Sequence, residues 1–223
     1  MNILVIPVYK HYDLTHKLLF SLFQKERGKI GKIIVVDDCS EDKESSDGLD
    51  WWKTQWDVLE IVRNDENLGF LKTSNLGLKF AKANPEDIVI LLSNDVIIHG
   101  EFLWQIEECL RDNVRALVGG VVYQKDTGWN KFGDKIFPYL EGWLLATTQK
   151  GWEELGWFDE RFAPFDFEDV DLSTTALSKS FSLVALNSPA LRHMGGQSIG
   201  FNPKRVEQTK TNQKKFEEKW IKK

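Results

Sequence analysis

Apolar runs of strand length alternate with segments of helical period through the first half of the chain. That is the pattern of a parallel sheet joined by crossover helices. Five runs read as strands, at 2–7, 32–37, 58–63, 87–93 and 116–123. Between them Leu14, Leu18, Leu19, Leu22 and Phe23 recur at the spacing of one helix face, as do Phe102, Leu103, Ile106 and Leu110. A third helix is expected over 70–83, just after Asn67-Leu68-Gly69. Beyond Tyr123 the rhythm breaks into Gly- and Trp-containing stretches, then helical spans near 150–155 and 169–180 and a short strand at 183–186. With no Pro/Ser-rich linker, low-complexity tract or repeat, the second half reads as an elaboration of the same sheet.

Composition narrows the picture. A chain of 223 residues that is 42% hydrophobic makes one globular domain with a proper core. Two cysteines, Cys39 and Cys109, form no disulfide framework and no metal-ligand spacing, so the expected setting is the cytoplasm. The run Ile3-Leu4-Val5-Ile6 is far shorter than the ~20 apolar residues that span a bilayer, and reads as a strand. A formal net charge of -5 argues against nucleic-acid binding and sits awkwardly with any phosphate-bearing ligand. The excess acid lies in residues 1–203, because 204–223 carries eight Lys/Arg and three Glu. There Val206, Gln213, Phe216 and Trp220 fall roughly on one helical face, which predicts a helix docked through Phe216 and Trp220. Peripheral membrane contact through this basic segment is the rival expectation, although its apolar stripe is thin.

Candidate chemistry concentrates at strand ends, where ligands bind in open parallel sheets. The first strand runs into Pro7-Val8-Tyr9, the second into Asp37-Asp38-Cys39-Ser40 and the fourth into Ser93-Asn94-Asp95. Adjacent carboxylates at the end of an apolar strand are costly unless something pairs with them, although either Asp37 or Asp38 could simply cap the next turn. Neither Gly-x-Gly-x-x-Gly nor Gly-x-x-x-x-Gly-Lys-Ser/Thr occurs, so a bound phosphate must be neutralised another way. One strand-end carboxylate holding a hard divalent ion with waters and phosphate oxygens would do so, and Asp95 fits. A second acidic cluster, Asp166 to Asp171 with Phe165 and Phe167, precedes a helix; capping needs one or two carboxylates, not four. The flanking aromatics would desolvate the group and raise a carboxyl pKa toward the range of a general base.

Six elements in order, Pro7-Val8-Tyr9, Val35-Val36-Asp37-Asp38-Cys39-Ser40, Asn64-x-x-Asn67-Leu68-Gly69-Phe70, Leu91-Leu92-Ser93-Asn94-Asp95, Gly156-Trp157-Phe158-Asp159-Glu160-Arg161-Phe162 and Glu168-Asp169-Val170-Asp171-Leu172, resemble glycosyltransferase family 2. Its rhamnosyltransferase-like members are the nearest likeness, and the match runs from residue 2 to about 200. The resemblance implies an α/β protein of the GT-A fold, with a Rossmann-like, mostly parallel central sheet flanked by helices. A nucleotide-binding half would span 1–123 and an acceptor-binding half 124–203, followed by the basic helical segment 204–223.

It further implies an inverting, metal-dependent transfer from a UDP-sugar or dTDP-rhamnose-like donor to a hydroxyl of a glycan or lipid-linked saccharide. By resemblance Pro7, Tyr9, Asp37, Asp38, Asn67 and Asn94 line the nucleotide pocket. The family's Asp-x-Asp metal motif maps onto Ser93-Asn94-Asp95, leaving Asp95, with His193, to hold Mg²⁺ or Mn²⁺. A lone histidine is as readily structural, but the neighbouring Gly195-Gly196 would let backbone N–H groups approach an anion. Asp169 is the expected catalytic base and Glu168 its partner, while Gly142, Trp143 and Asp171 are expected near the sugars. Thr174 and Thr175 stand where relatives carry an arginine that anchors the acidic cluster. Trp129, Trp152 and Trp157 are further candidates to stack on an acceptor ring, against simple core burial. The degenerate metal motif also admits a rival reading, a nucleotide-sugar-binding module that has lost catalysis; a nucleotidyltransferase is disfavoured because Pro7-Val8-Tyr9-Lys10 is not a Gly-rich loop.

Overall fold

The computed structural model describes residues 1–195, 200 and 203–222. In chain order these form β1 Asn2–Val8, α1 Tyr12–Lys25, β2 Ile30–Asp37, α2 Lys43–Gln55, β3 Leu59–Arg63, α3 Phe70–Phe80, β4 Ile88–Leu92, β5 Val96–Ile98, α4 Leu103–Asp112, β6 Ala116–Gly119 and β7 Val122–Tyr123. Then follow β8 Lys131–Phe132, β9 Lys135–Ile136, β10 Tyr139–Leu140, β11 Leu144–Thr148, α5 Gln149–Leu155, α6 Glu168–Ser178, β12 Ser182–Ala185, β13 Leu191–His193 and α7 Pro203–Trp220. The main sheet has the order β12-β6-β11-β4-β1-β2-β3. Strands β4, β1, β2 and β3 run parallel, β11 lies antiparallel between β4 and β6, and β12 closes the edge parallel to β6. This is the expected α/β, mostly parallel sheet.

Central strands are apolar on both faces because helices cover both. Leu4, Ile6, Ile33, Val35 and Leu92 pack beneath α1, α2 and α4, whereas Ile3, Val5, Ile34, Val36 and Leu91 face α3, α5, α6 and α7. The order β4-β1-β2 makes β1 the point from which the chain winds outward to either side. The carboxyl ends of the three strands therefore splay around a crevice, the preferred ligand position of such sheets.

Three departures from the sequence expectation have physical causes. The strand expected over 116–123 breaks after Gly119: a Cβ on Gly120 would lie 1.9 Å from the Trp143 ring, which presses onto the backbone there. Helix α2 escapes a search for apolar periodicity because it buries only Ser45, Leu49 and Trp52; its signature is the N-cap, where Asp42 accepts from Ser45 N at 2.8 Å. Strand β11 is a five-residue apolar run, too short for periodicity to separate strand from helix, yet it occupies a central position.

Helix α7 docks through Phe216, which is fully buried against Phe132, Phe137 and Phe167. Trp220 packs beside it and donates from Nε1 to Asp171 Oδ1 at 2.7 Å. Val206 does not share that buried face; it is 47% exposed at the rim of the crevice, and the wholly buried Asn212 takes the inward position instead. No described helix is long and apolar enough to cross a membrane. Because Phe216 sits at the junction of four aromatic side chains, Phe216→Ala should cost about 3–5 kcal/mol of unfolding free energy, whereas Val206→Ala should stay within about 0.5 kcal/mol. Urea unfolding of the two variants checks the contrast.

Candidate active site

The crevice holds a cavity of about 800 Å³, within the range of small-molecule sites. Its first wall comes from the strand ends. Pro7 is the penultimate residue of β1 and Tyr9 follows its end, Asp38 follows β2, and Asn94 and Asp95 follow β4, all lining the cavity with Asn67 from the loop before α3. Asp38 organises that loop. Its Oδ1 accepts from Asn64 Nδ2 and Leu68 N, both at 2.8 Å, and its Oδ2 accepts from Gly69 N at 2.9 Å. Gly69, at φ 80, takes the left-handed backbone from which α3 starts. Asn94 is buried and donates to Thr15 Oγ1 at 3.1 Å, which fixes the turn after β4.

Asp37 lies outside this wall. Its Oδ1 accepts from Ser40 N at 3.0 Å and its Oδ2 is 3.8 Å from Arg63 Nε, so it caps the turn after β2 and is not among the cavity-lining residues. Of the two capping candidates at this strand end, Asp37 is the cap.

Opposite Asp95 stands His193. Strand β13 pairs antiparallel with β5, placing His193 across from Val96, and Met194 N donates to Asp95 O at 3.2 Å. His193 Nε2 is 3.2 Å from Asp95 Oδ1. The other ring nitrogen, Nδ1, is 3.8 Å from Glu141 Oε1, and Trp143 stacks on the imidazole at 5.3 Å between centroids. Glu141 Oε2 in turn accepts from Trp143 Nε1 at 3.1 Å and from the Tyr123 hydroxyl at 3.4 Å. Among the described residues no group of three His, Cys, Asp or Glu is arranged to cage a metal. The Asp95–His193 pair is what the cavity offers. One carboxylate and one imidazole, completed by diphosphate oxygens and water, suit Mg²⁺ or Mn²⁺, which seldom take an all-protein cage alongside phosphate. Of the paired glycines, Gly195 is at φ 68 and Gly196 lies outside the described residues.

The second wall carries Glu168 and Asp169 at the first turn of α6, with Gly142 and Trp143 beside them. Asp169 Oδ1 accepts from Val170 N at 2.8 Å and Oδ2 from Gly142 N at 3.2 Å. Burial pushes the Asp169 carboxyl up to about 7 against those two hydrogen bonds, with the nearby Glu141 and Asp166 charges adding to the rise. Glu168 is buried, and its Oε2 has no hydrogen-bond partner. Burial, with the adjacent Asp169 charge adding to it, raises the Glu168 carboxyl well above the usual carboxylate range.

Asp171, expected near a sugar, points out of the cavity. It accepts from Lys219 Nζ at 2.8 Å and from Trp220 Nε1, tying α6 to α7. Lys219 and Arg205, which meets Asp166 at 2.8 Å, supply from α7 the cations absent at Thr174 and Thr175. Thr174 turns inward and donates to Val170 O at 2.8 Å. Of the remaining tryptophans, Trp152 is core, donating to Val89 O, and Trp157 stacks on it; Trp129 lines the cavity. Reading the sequence element by element overlooks Arg205 and Thr209 as cavity residues, because their partner Asp166 lies about forty residues away in the chain.

A family model described as "Glycosyl transferase family 2" matches residues 3–176. None of the curated proteins matches the chain. Among solved structures, GalNAc-T7 with UDP, GalNAc and Mn²⁺ superposes with a TM-score of 0.69 at 14% identity, covering 82% of this chain and 41% of that one. The mannosyltransferase PcManGT from Pyrobaculum calidifontis, in complex with GDP-Man and Mn²⁺, gives 0.64 at 20% identity, over 82% of this chain and 54% of that one. S. aureus TarS 1-349 in complex with UDP gives 0.65 at 19% identity, over 85% and 59%. The chain thus spans roughly two-fifths to three-fifths of the length of these solved chains, and they share its fold.

The raised carboxyls carry a stability prediction. A folded value above the unfolded one means that the unfolded chain releases its proton first as pH rises. The contribution of Asp169 to stability is therefore full below about pH 4 and is lost by about pH 7, where folded Asp169 also ionises. Asp169→Asn should flatten that part of the profile, read as the denaturant midpoint across the same pH interval; an unaltered slope would assign the dependence to other groups.

Proposed function

The chain belongs to glycosyl transferase family 2, and we propose that it moves a sugar from a nucleotide-diphosphate donor to a saccharide hydroxyl with inversion at the anomeric carbon. The observation that carries this reading is one cavity with two different chemistries. The strand ends bear Asp95 and His193, and the same cavity holds a half-buried carboxyl, Asp169, joined to them through the Glu141-Gly142-Trp143 segment and raised to about 7 by burial.

In this reading Pro7, Tyr9, Asp38, Asn67 and Asn94 receive the nucleoside. UDP-sugars or a dTDP-rhamnose-like donor are the proposed class; the solved relatives with UDP or GDP-Man support a nucleotide donor. Asp95 and His193 would hold Mg²⁺ or Mn²⁺, and a bound ion supplies positive charge against the departing diphosphate. Asp169 accepts the proton of the acceptor hydroxyl as its oxygen bonds to the anomeric carbon and the carbon–diphosphate bond breaks. The Gly142 and Val170 N–H groups keep the Asp169 carboxylate aimed into the cavity. A single displacement, with Asp169 taking the hydroxyl proton, inverts the centre. The acceptor is a saccharide, free or lipid-linked. The rival reading of a module without catalysis drew on the single carboxylate of Ser93-Asn94-Asp95. The histidine 3.2 Å from Asp95 adds a second donor there and weakens that case.

Asp169→Asn should lose about 10²- to 10⁴-fold in transfer while nucleotide affinity by calorimetry stays near wild type. Activity of the wild type should rise with pH through an acid limb centred on about 7, because Asp169 must be ionised to act. EDTA should abolish turnover of a panel of nucleotide sugars, with Mn²⁺ or Mg²⁺ restoring it. A folded Asp169→Asn protein with wild-type transfer would remove the base assignment.

A further inference from the structure

Three of the nine tryptophans, Trp51, Trp104 and Trp129, keep 44–48% of their surface exposed, and of these Trp129 alone lines the cavity. Trp51 packs edge-on against Trp52 and Trp104 lies on the outer part of α4. The other cavity indole, Trp143, is 6% exposed and its face is taken by His193. Among the described residues no ring or cation packs on Trp129, and its indole N–H has no hydrogen-bond partner. A large apolar face left open in a cavity, with a free donor at its edge, is the complement of a sugar ring, which offers C–H groups on one face and hydroxyls around its rim.

The turn that presents Trp129 is built to hold it. Asn130, the next residue, is wholly buried and satisfied on both sides. Its Nδ2 donates to Lys125 O and Phe137 O, both at 3.1 Å, and its Oδ1 accepts from Thr127 N at 2.9 Å and Thr127 Oγ1 at 3.0 Å. Gly128 N donates to Asp126 Oδ1 at 2.8 Å, closing the turn from within. On the far side of Asn130, Phe132 packs against Phe167, the residue before Glu168. The turn is thereby keyed to the wall that carries Asp169. Ordering entropy is already spent in the folded protein, so little remains to be lost when a ligand stacks on the indole.

We propose that Trp129 is the platform of an acceptor subsite for a pyranose ring, with Asn130 as the residue that positions it. The assignment to the acceptor, not the donor, follows from the neighbours: the turn is joined through Phe132 to Phe167, two residues before Asp169, and the hydroxyl to be deprotonated must reach Asp169. This inference rests on the glycosyl-transfer reading and names the class of acceptor.

Saturation-transfer NMR with methyl pyranosides of the gluco, galacto, manno, N-acetylglucosamine and rhamno series, in the presence of UDP and Mn²⁺, tests it. Wild type should saturate ring C–H protons of at least one glycoside. Trp129→Ala should weaken that signal about fivefold or more, Trp129→Phe should lose less, and Trp104→Ala should leave it intact. A second readout needs no disruptive variant: in 5-fluorotryptophan-labelled protein, the ¹⁹F resonance missing from Trp129→Phe should shift when the same glycoside is added. The proposal is overturned if no pyranoside is saturated, if Trp129→Ala matches wild type, or if saturation of octyl glucoside falls on its alkyl chain alone, which would make the platform a lipid contact. Hydrolysis of nucleotide sugars by wild type reports separately on the transfer reading: hydrolysis without pyranoside contact at Trp129 sinks only the subsite, and failure to bind or hydrolyse any donor sinks the transfer reading itself.

Discussion

Asn212 sits wholly inside the protein with its Nδ2 within 2.7–2.9 Å of three carbonyl oxygens, those of Phe162, Phe165 and Asp166. Those carbonyls belong to the turn that delivers Glu168 and Asp169 into the cavity. Asp166 and Phe167 occupy left-handed backbone at φ 67 and 75, a conformation that costs a non-glycine residue about 1–3 kcal/mol and persists only where its surroundings enforce it. Enforcement comes from α7. Beyond Asn212, Arg205 meets the Asp166 carboxylate with two nitrogens, Thr209 Oγ1 donates to the same carboxylate at 2.6 Å, and Phe216 fills the space behind Phe167. A helix that reads as a basic appendage is thus the clamp on the acidic turn.

The same clamp resolves the distribution of charge. An acidic body seems poorly suited to a phosphate-bearing ligand, yet the acids do not act as a uniform field. Asp37 is spent on a turn and Arg63, Asp38 on the loop before α3, and Asp166 and Asp171 on α7. Beyond these, Asp95, Glu141, Glu168 and Asp169 line the cavity, Asp95 beside His193 and the Glu168-Asp169 pair raised by burial. Carboxylates held in such different surroundings can take different roles.

Much of the first wall was legible in the sequence because its determinants are local. An apolar strand followed by polar residues declares its own end, and Pro7, Tyr9, Asp38, Asn94 and Asp95 sit where those ends predict. The pair Asp37-Asp38 shows the limit: sequence places both at the strand end, but the alternation of side chains sends one into the cavity and the other to Arg63. The second wall was legible only in part. Glu168-Asp169 announces itself as an acidic cluster before a helix, whereas the roles of Asp171, Arg205, Asn212 and Glu141 depend on contacts between segments far apart in the chain. Hydrophobic periodicity found α7 but put Val206 on its buried face, because the inward stripe is completed by a polar residue, Asn212, that no apolar pattern reports.

The two walls therefore differ in how they can change. The strand-end wall is fixed by the register of β4, β1 and β2, and moving any of its side chains means slipping a strand whose both faces are buried. The second wall is assembled from the turn at 124–130, the Glu141–Trp143 segment, the start of α6 and α7, none of which is a central strand except where β11 begins just after Trp143. Its geometry is held by side-chain hydrogen bonds to backbone, such as those of Asn130 and Asn212, which set a loop without constraining the sheet. Residues on that wall can be exchanged without disturbing strand register, provided the two buried asparagines are kept. Selectivity for one face of the cavity can consequently vary while the chemistry anchored at the strand ends stays in place.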